Sequence, residues 1–276
     1  MVDTVPRIRL NDGAEIPQLG LGVFQVPQDE VAEVVRYALQ CGYRSIDTAA
    51  GYQNEEGVGE AIASSGLPRE EIYVTTKLAN TDHGYDAALR AFEVSRQKLG
   101  LTYVDLYLIH WPMPERDLYV ETWRAFEKLK DDGLARSIGV SNFLIPHLEK
   151  LLAESEVVPT VNQIEVHPAL QQRELREYCW DHDIVPEAYS PLARGEVLQH
   201  PVITEMAARH GKTPAQVVLR WHIQEGHIVI PKSTTPSRIK ENFEIFDFEL
   251  SEEDMTLFES LDSGARTGLD PAVTNE

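Results

Sequence analysis

The segment from residue 72 to residue 111 decides the fold. It reads IYVTTKL at residues 72–78, DAALRAFEVSRQKL at residues 86–99 and VDLYLIHW at residues 104–111. The first and third pieces are short runs rich in β-branched, aromatic and other apolar residues, which is typical of buried strands. The middle piece carries apolar residues at helical spacing. Strand, helix and strand in this order predict two parallel strands joined by a helical crossover.

The same alternation continues in both directions along the chain. Further strands are predicted at Leu19–Phe24, Arg44–Thr48, Arg136–Ser141, Thr160–Val166, Ile184–Tyr189 and Ile228–Lys232. Helices are predicted at Asp29–Gln40, Glu55–Ser64, Val120–Asp131, Pro146–Ala153, Gln171–His182 and Pro214–Gln224, with a last crossover at Ser237–Phe243. Eight strand–helix units in about 250 residues predict an α/β fold of the (β/α)8 TIM-barrel type rather than an open sheet.

Both ends of the chain carry elements outside the barrel. Arg7–Leu10 and Glu15–Pro17 flank an Asn-Asp-Gly turn and predict an N-terminal β-hairpin that can close the bottom of the barrel. A capping box that begins at Ser251 predicts an extra C-terminal helix. No long linker or charge block divides the sequence, so residues 1–276 are expected to form a single domain.

Other helix starts are marked by capping residues. Thr213 is followed by Pro214 and, at the third helical position, by Gln216, which is a capping box. Asn54 and Thr235 are further N-cap candidates.

The composition narrows the class of partner. The chain has 25 Lys and Arg against 45 Asp and Glu, a formal net charge of −20, which disfavours nucleic acid and anionic membranes. No apolar run reaches about 18 residues, and the first residues lack the pattern of a signal peptide. Two cysteines, Cys41 and Cys179, are too few for a disulfide framework. We expect a cytoplasmic protein, and a monomer because nothing in the pattern marks an interface.

Four ionisable residues converge on one rim of the predicted barrel. Asp47, Lys77 and His110 lie at the carboxyl ends of three successive strands, and Tyr52 follows Asp47 in the next loop. Each has a simpler explanation alone: a loop cap, a surface aromatic, a solvated lysine or a core histidine. Together they predict an active site, because barrels carry their sites at the carboxyl ends of the strands.

The four residues suit carbonyl chemistry. A nearby ammonium lowers the pKa of a phenol, so Lys77 is expected to make Tyr52 a general acid or base. Asp47 would keep Lys77 charged, and His110 could stabilise a developing oxyanion. Protonation of an oxyanion while hydride attacks carbon is carbonyl reduction, which requires a nicotinamide.

The phosphate-binding segment is expected near the C-terminus. The run from Gly20 to Gln25 starts like a dinucleotide fingerprint but lacks the last glycine and opens no helix. By contrast, residues 231–238 read PKSTTPSR, with Lys232 and Arg238 flanking a predicted helix start. Helix N-termini bind anions, and barrels often hold phosphate after their last strands. An ordinary basic helix cap is the simpler alternative.

The sequence resembles the aldo-keto reductase family, closest to its bacterial 2,5-diketo-gluconate reductase-like branch. Six motifs in order carry the resemblance: GYRSIDTA at residues 42–49 with Tyr52, Asn54 and Glu55, VDLYLIHWP at 104–112, IGVSN at 138–142, VNQ at 161–163, YSPL at 189–192 and IPKS at 230–233.

The resemblance implies NADPH-dependent reduction of aldehydes or ketones, with Tyr52 as proton donor and Asp47, Lys77 and His110 completing the catalytic tetrad. It implies that the cofactor lies along Gly22, Val23, Ser141, Asn142, Gln163, Tyr189, Ser190, Leu192, Lys232, Ser233, Thr234, Arg238, Glu241 and Asn242. Of these, Ser141, Asn142 and Gln163 would hold the carboxamide, and Tyr189 would stack on the nicotinamide. Ser190 and Leu192 would meet the pyrophosphate. The 2′-phosphate would be held by Lys232, Ser233, Thr234 and Arg238, and adenine would be contacted by Glu241 and Asn242.

The substrate pocket is expected to be lined by Phe24, Tyr52, His110 and Trp111, with Met113 or Tyr119 as further candidates. Relatives often carry a tryptophan where this chain has Ala79, so the pocket is expected to be wider.

Other functions remain open from the sequence alone. A non-catalytic, NADPH-binding regulatory barrel is the main alternative, and a Schiff-base lyase that uses Lys77 or Lys232 is another. The nine histidines show no metal-binding spacing, so no metal is expected. His167 and His222 are expected to be structural.

Overall fold

The computed structural model describes residues 5–275. The predicted domain of residues 1–276 therefore includes five residues, 1–4 and 276, that lie outside the described residues.

Eight parallel strands surround the centre of the fold. In sequence order they are β3 (Leu21–Gly22), β4 (Ser45–Asp47), β5 (Tyr73–Leu78), β6 (Val104–Ile109), β7 (Ala135–Ser141), β8 (Val161–Glu165), β9 (Val185–Tyr189) and β10 (Ile228–Val229). Each pairs with the next. Parallel bridges from Leu19 to Val229 and from Gly22 to Lys232 join the two ends and close the sheet. The predicted (β/α)8 barrel is confirmed.

Helices alternate with these strands. They are α1 (Gln28–Cys41), α2 (Glu55–Ser64), α3 (Tyr85–Leu99), α4 (Tyr119–Asp131), α5 (Ile145–Glu154), α6 (Arg173–Asp181), α7 (Pro201–His210), α8 (Pro214–Gln224), α9 (Pro236–Phe243) and α10 (Glu252–Glu259). Helix α7 was not predicted, although Pro201 at its first position and Gly211 directly after it are helix boundary signals in the sequence. The extra C-terminal helix is α10, as predicted.

The N-terminal hairpin closes the bottom of the barrel. Its strands, β1 (Arg7–Arg9) and β2 (Glu15–Pro17), are antiparallel. Leu10 and Ile16 are buried in one cluster with the barrel residues Leu106, Val161 and Ile228. The predicted plug is confirmed, and it leaves the opposite rim open.

Of the four residues predicted to cap helix N-termini, two do so with their side chains. Thr213 and Ser251 each accept a hydrogen bond from the third residue of their helix. Asn54 does not cap α2: its amide donates to the carbonyls of Val23 and Val26. It thereby ties the loop after β3 to the loop after β4. The side chain of Thr235 does not cap α9 either.

No helix in the described part of the chain is long and apolar enough to span a membrane.

Candidate active site

The open rim brings the four predicted catalytic residues together. Asp47 ends β4, Lys77 is the penultimate residue of β5, and His110 directly follows β6. Tyr52 ends a short 3-10 turn that follows β4. Because neighbouring parallel strands end at the same edge, these side chains share one site.

Lys77 is the centre of a buried hydrogen-bond cluster. Its Nζ atom lies 2.5 Å from Oδ1 of Asp47, 3.0 Å from the Thr48 carbonyl and 3.3 Å from the Tyr52 hydroxyl. Lys77 is fully buried and Asp47 is 2% exposed. Burial alone lowers the pKa of a lysine, but Asp47 and Tyr52 outweigh it, and the pKa of Lys77 is raised. Lys77 therefore stays charged.

Tyr52 is protonated at neutral pH. Burial raises the pKa of its hydroxyl, and this effect exceeds the lowering by the Lys77 ammonium. The prediction that Lys77 brings the pKa of Tyr52 below its ordinary value is therefore wrong for the free protein, although Lys77 acts in the predicted direction. A protonated hydroxyl beside an ammonium is suited to donate a proton, because the ammonium stabilises the tyrosinate that remains.

His110 is neutral. Burial is the main cause that lowers its pKa to about 3, and the positive charge of Lys77 adds to the effect. The ring centre of His110 lies 5.7 Å from that of Tyr52. A neutral imidazole retains one N–H group, which can donate a hydrogen bond to a carbonyl oxygen.

An aromatic row forms one side of the site. Ring centres are 5.1 Å apart for Phe24 and Tyr52, and 6.5 Å apart for His110 and Trp111. Phe24 is 47% exposed, so this row faces solvent at the rim. The four residues predicted to line the substrate pocket are thus contiguous. Tyr119, a further candidate, is buried instead against Phe143.

Ala79 borders a groove of about 380 Å³ that also includes Ala50, Ala87 and Ala91. Ala50 begins the turn that carries Tyr52. The small side chain at position 79 therefore borders open space close to the turn that carries Tyr52.

The residues predicted to hold the nicotinamide form one network at the ends of β7, β8 and β9. The Tyr189 hydroxyl donates to Oδ1 of Asn142 over 2.7 Å, and Asn142 donates to the Ser141 hydroxyl over 3.2 Å. Ser141 donates in turn to the backbone carbonyl of Gln163 over 2.8 Å. Nε2 of Gln163 lies 2.8 Å from Oδ2 of Asp47. This network joins the predicted nicotinamide site to the hydrogen-bond cluster around Lys77.

The predicted pyrophosphate residues lie in a turn after β9. Ser190, Ala193 and Arg194 have left-handed backbone conformations, with φ of 46°, 47° and 54°. Non-glycine residues adopt such angles at a cost, and the surrounding structure must hold them there. The turn therefore presents Ser190 and Leu192 in a constrained backbone.

The segment predicted to hold the 2′-phosphate, at the other end of the cofactor site from the nicotinamide, carries two basic side chains. Gly22 bridges to Lys232 at the barrel seam, which places Val23 beside the PKSTTPSR segment. Lys232, Thr234 and Arg238 are exposed, and no carboxylate pairs with either basic residue in the described part of the chain. Unpaired basic groups at the start of α9 fit a phosphate group, especially in so acidic a protein.

Two other predicted cofactor residues, Ser233 and Glu241, have hydrogen-bond partners within the protein, and a third, Asn242, is buried. The Ser233 hydroxyl accepts from the backbone N–H of Thr235 over 3.1 Å. Glu241 accepts from the Thr213 hydroxyl over 2.9 Å, and Asn242 is 4% exposed.

Glu187 belongs to the site but was missed. It lies in β9, is 1% exposed, and its Oε2 atom has no hydrogen-bond partner. Burial, assisted by the charge of Asp47, raises its pKa to about 8. Its position two residues before Tyr189, on the same face of a strand, could have indicated that it points into the barrel.

Comparisons with known proteins agree with this geometry. The model of the Aldo/keto reductase family matches residues 18–263. A protein named methylglyoxal reductase DkgA from Yersinia pestis is 54% identical over 97% of both chains. A protein named glyoxal reductase from Bacillus subtilis is 52% identical over 96% of this chain and 95% of its own. A crystal structure of a Gox0644 mutant in complex with NADPH is 49% identical, covers 99% of both chains and superposes with a TM-score of 0.95.

The chain belongs to the aldo/keto reductase family. It is an NADPH-dependent oxidoreductase that reduces carbonyl groups. The resemblance, the enzyme class and the cofactor predicted from the sequence are confirmed, and the regulatory-barrel alternative receives no support. Within the described residues, no group of three or more His, Cys, Asp or Glu side chains is placed to hold a metal ion.

Proposed function

We propose that this enzyme reduces small 2-oxoaldehydes of the glyoxal and methylglyoxal type, with Tyr52 as the proton donor. Similarity to relatives named glyoxal and methylglyoxal reductase supports this substrate class. The rim supports it as well, because the aromatic row at Phe24 and Trp111 carries no charge that would demand an ionic substrate.

Each polar residue of the cluster has one task. His110, neutral, donates a hydrogen bond to the substrate carbonyl oxygen and fixes its position. Tyr52 gives its proton to the same oxygen as negative charge develops there. Lys77 stabilises the tyrosinate, and Asp47 keeps Lys77 charged and oriented. NADPH, when bound, supplies the hydride for the carbonyl carbon, so that hydride and proton together give the alcohol.

The cofactor would be held along one continuous path across the rim. Ser141, Asn142 and Gln163 would hold the carboxamide, Tyr189 would stack on the nicotinamide, and Ser190 with Leu192 would meet the pyrophosphate. Gly22 and Val23 lie beside this path. Lys232, Ser233, Thr234 and Arg238 would hold the 2′-phosphate, with Glu241 and Asn242 near the adenine.

The observation that carries the proposal is the 3.3 Å contact between the Tyr52 hydroxyl and Nζ of Lys77. NADPH fluorescence quenching, followed in the same cuvette by oxidation with glyoxal, methylglyoxal, simple aldehydes and keto-sugars, tests it. Quenching and fastest turnover with the 2-oxoaldehydes are expected. Quenching with turnover of keto-sugars alone would refute the substrate class, and quenching without any turnover would refute the catalytic roles.

We further propose that residues 1–276 act as one domain, as a monomer without a metal, in the cytoplasm. The continuous barrel of the described residues supports the single domain. Light scattering after size exclusion is expected to give a mass near 31.1 kDa, and a twofold larger mass would refute the monomer.

A further inference from the structure

A chain of buried polar side chains runs behind the turn that follows β9. Nη1 of Arg176 lies 2.6 Å from Nε2 of His227. Nδ1 of His227 lies 3.0 Å from Nδ1 of His222. Nε2 of His222 lies 3.2 Å from the carbonyl oxygen of Pro191. Both imidazoles are fully buried. These four residues, called the histidine relay below, connect α6 and α8 to the turn.

The partners at the two ends fix where each proton lies. A carbonyl oxygen only accepts, so Nε2 of His222 carries a hydrogen, and an arginine only donates, so Nε2 of His227 carries none. Both imidazoles are neutral, because burial lowers the pKa of His222 to about 3 and that of His227 well below its ordinary value. Nδ1 of His227 therefore donates to Nδ1 of His222. Every bond in the relay points from Arg176 towards Pro191.

Arg176 gives the relay a fixed origin. Its Nε atom donates to the Gln171 carbonyl over 2.7 Å, and Nη1 also contacts Oε2 of Glu225 at 2.9 Å. Trp221 packs on the relay, with ring centres 4.5 Å from His222 and 5.9 Å from His227. Neither imidazole has room to leave its place without disturbing this packing.

The other end of the relay reaches a backbone that needs support. Pro191 is buried and lies between Ser190 and Leu192, in a turn with three left-handed non-glycine residues. Hydrogen bonds inside the turn run from Ala193 to Ser190 and from Gly195 to Leu192. They shape the turn but do not attach it to the barrel wall, whereas the bond from His222 ties it to α8.

We propose that the histidine relay is a positioning device that holds the Ser190–Leu192 backbone ready for the pyrophosphate of NADPH, with His222 as its contact residue. The inference rests on the pyrophosphate role given to Ser190 and Leu192 under the proposed function. A turn held in its binding conformation loses less conformational entropy when the cofactor binds, so the relay increases NADPH affinity. His222, which was expected from the sequence to be structural, would thereby also have a role in cofactor binding.

Nitrogen-15 NMR of the full-length protein labelled at histidine tests the relay without cofactor. Two-bond correlations distinguish the tautomers, and the expected result is hydrogen on Nδ1 of His227 and on Nε2 of His222. Hydrogen on Nε2 of His227, or on Nδ1 of His222, would overturn the relay.

Variants test its role in binding. His222→Met removes the donor at similar size, and NADPH Kd and KM are expected to rise about five- to tenfold, with the KM for the carbonyl substrate nearly unchanged. His222→Gln places an amide donor near the position of Nε2 and is expected to restore Kd to within about twofold of the wild type. The control is His210→Met, because His210 bonds to Asp254 away from the turn.

The outcomes separate this inference from the proposed function. Tight NADPH binding by the wild type, with equal Kd in His222→Met, would overturn the relay and leave the function intact. A loss of thermal stability without a change in Kd would make His222 structural only. A wild type that binds no NADPH would refute the proposed function and the role of the relay in it.

Discussion

Asp47 and Gln163 are joined by a hydrogen bond of 2.8 Å from Nε2 of Gln163 to Oδ2 of Asp47. The other carboxylate oxygen of Asp47 receives Lys77. Both oxygens of one buried carboxylate therefore accept hydrogen bonds, one from Lys77, which contacts the proposed proton donor Tyr52, and one from Gln163, which is proposed to hold the carboxamide. Because the barrel places β4 opposite β8, this contact spans its interior and couples the two halves of the site.

Replacement of Tyr52 by phenylalanine removes only the hydroxyl. Turnover with methylglyoxal is expected to fall about 10²- to 10⁴-fold, the range typical of a lost general acid. NADPH affinity should stay nearly constant, because Tyr52 is not among the residues proposed to hold the cofactor. Steady-state kinetics and fluorescence titration measure the two effects.

Tyr178→Phe is the matched control, since Tyr178 lies on α6 and stacks on His182 at the end of that helix, away from Lys77 and Tyr52. Its turnover should equal that of the wild type. Retention of full turnover by Tyr52→Phe would show that another group donates the proton.

Replacement of Lys77 by methionine should separate stability from catalysis. The variant leaves the Asp47 carboxylate buried without its cation, and a loss of about 3–5 kcal/mol in unfolding free energy is expected. The double variant Asp47→Asn/Lys77→Met removes both charges. Its unfolding free energy should therefore return most of the way to the wild-type value, while the enzyme stays inactive. Urea unfolding and turnover of the three proteins are the measurements.

An equally unstable double variant would mean that the ion pair is not what makes Lys77 important for folding. An active double variant would remove Lys77 from the mechanism.

Arg238 is expected to discriminate between the two nicotinamide cofactors. It is exposed at the start of α9 and is proposed to contact the 2′-phosphate, which NADH lacks. Arg238→Ala should raise the Kd of NADPH about ten- to hundredfold, the value of a charged hydrogen bond, and leave NADH almost unchanged.

Lys240→Ala is the control on the same helix, because Lys240 pairs with Glu244 at 3.7 Å. Equal losses for NADPH and NADH in Arg238→Ala would contradict a 2′-phosphate contact.

The sequence was sufficient for the barrel and for the four rim residues. Each strand is a short apolar run, and the carboxyl ends of parallel strands share a rim, so Asp47, Lys77 and His110 could be placed by register alone. The hydrogen bonds and charges that connect these side chains could not be predicted in the same way. The sign of the pKa shift of Tyr52 depends on how deeply the folded chain buries its hydroxyl, which a local pattern does not report.

The features that the sequence alone does not reveal depend on contacts between distant segments. Asn54 has the sequence context of a helix cap, yet its side chain bonds to carbonyls near residue 25. His222 follows a tryptophan in an ordinary amphipathic helix, and only the fold brings Pro191 and His227 to its two nitrogens. The sequence shows Glu187 as a charged residue within a predicted buried strand. Its raised pKa, however, depends on burial and on its proximity to Asp47 in the folded protein.

Glu187 should make stability depend on pH. Its pKa is raised from 4.5 to about 8 in the folded protein, mainly by burial. The folded state therefore binds an extra proton between these values, and the contribution of Glu187 to stability is complete below pH 4.5 and is lost as the pH rises through 8. Glu187→Gln, which cannot ionise, is expected to be more stable than the wild type at pH 8 by about 1–3 kcal/mol.

Thermal unfolding of both proteins from pH 5 to pH 8 measures this difference. The melting temperature of Glu187→Gln should exceed that of the wild type by about 2–6 °C at pH 8, and the gap should nearly close at pH 5. Glu70→Gln, at an exposed position, is the control whose difference from the wild type should not vary with pH. A constant gap for Glu187→Gln across this range would mean that the carboxyl is already ionised at pH 5, and that the unpartnered Oε2 atom carries charge beside Asp47 throughout.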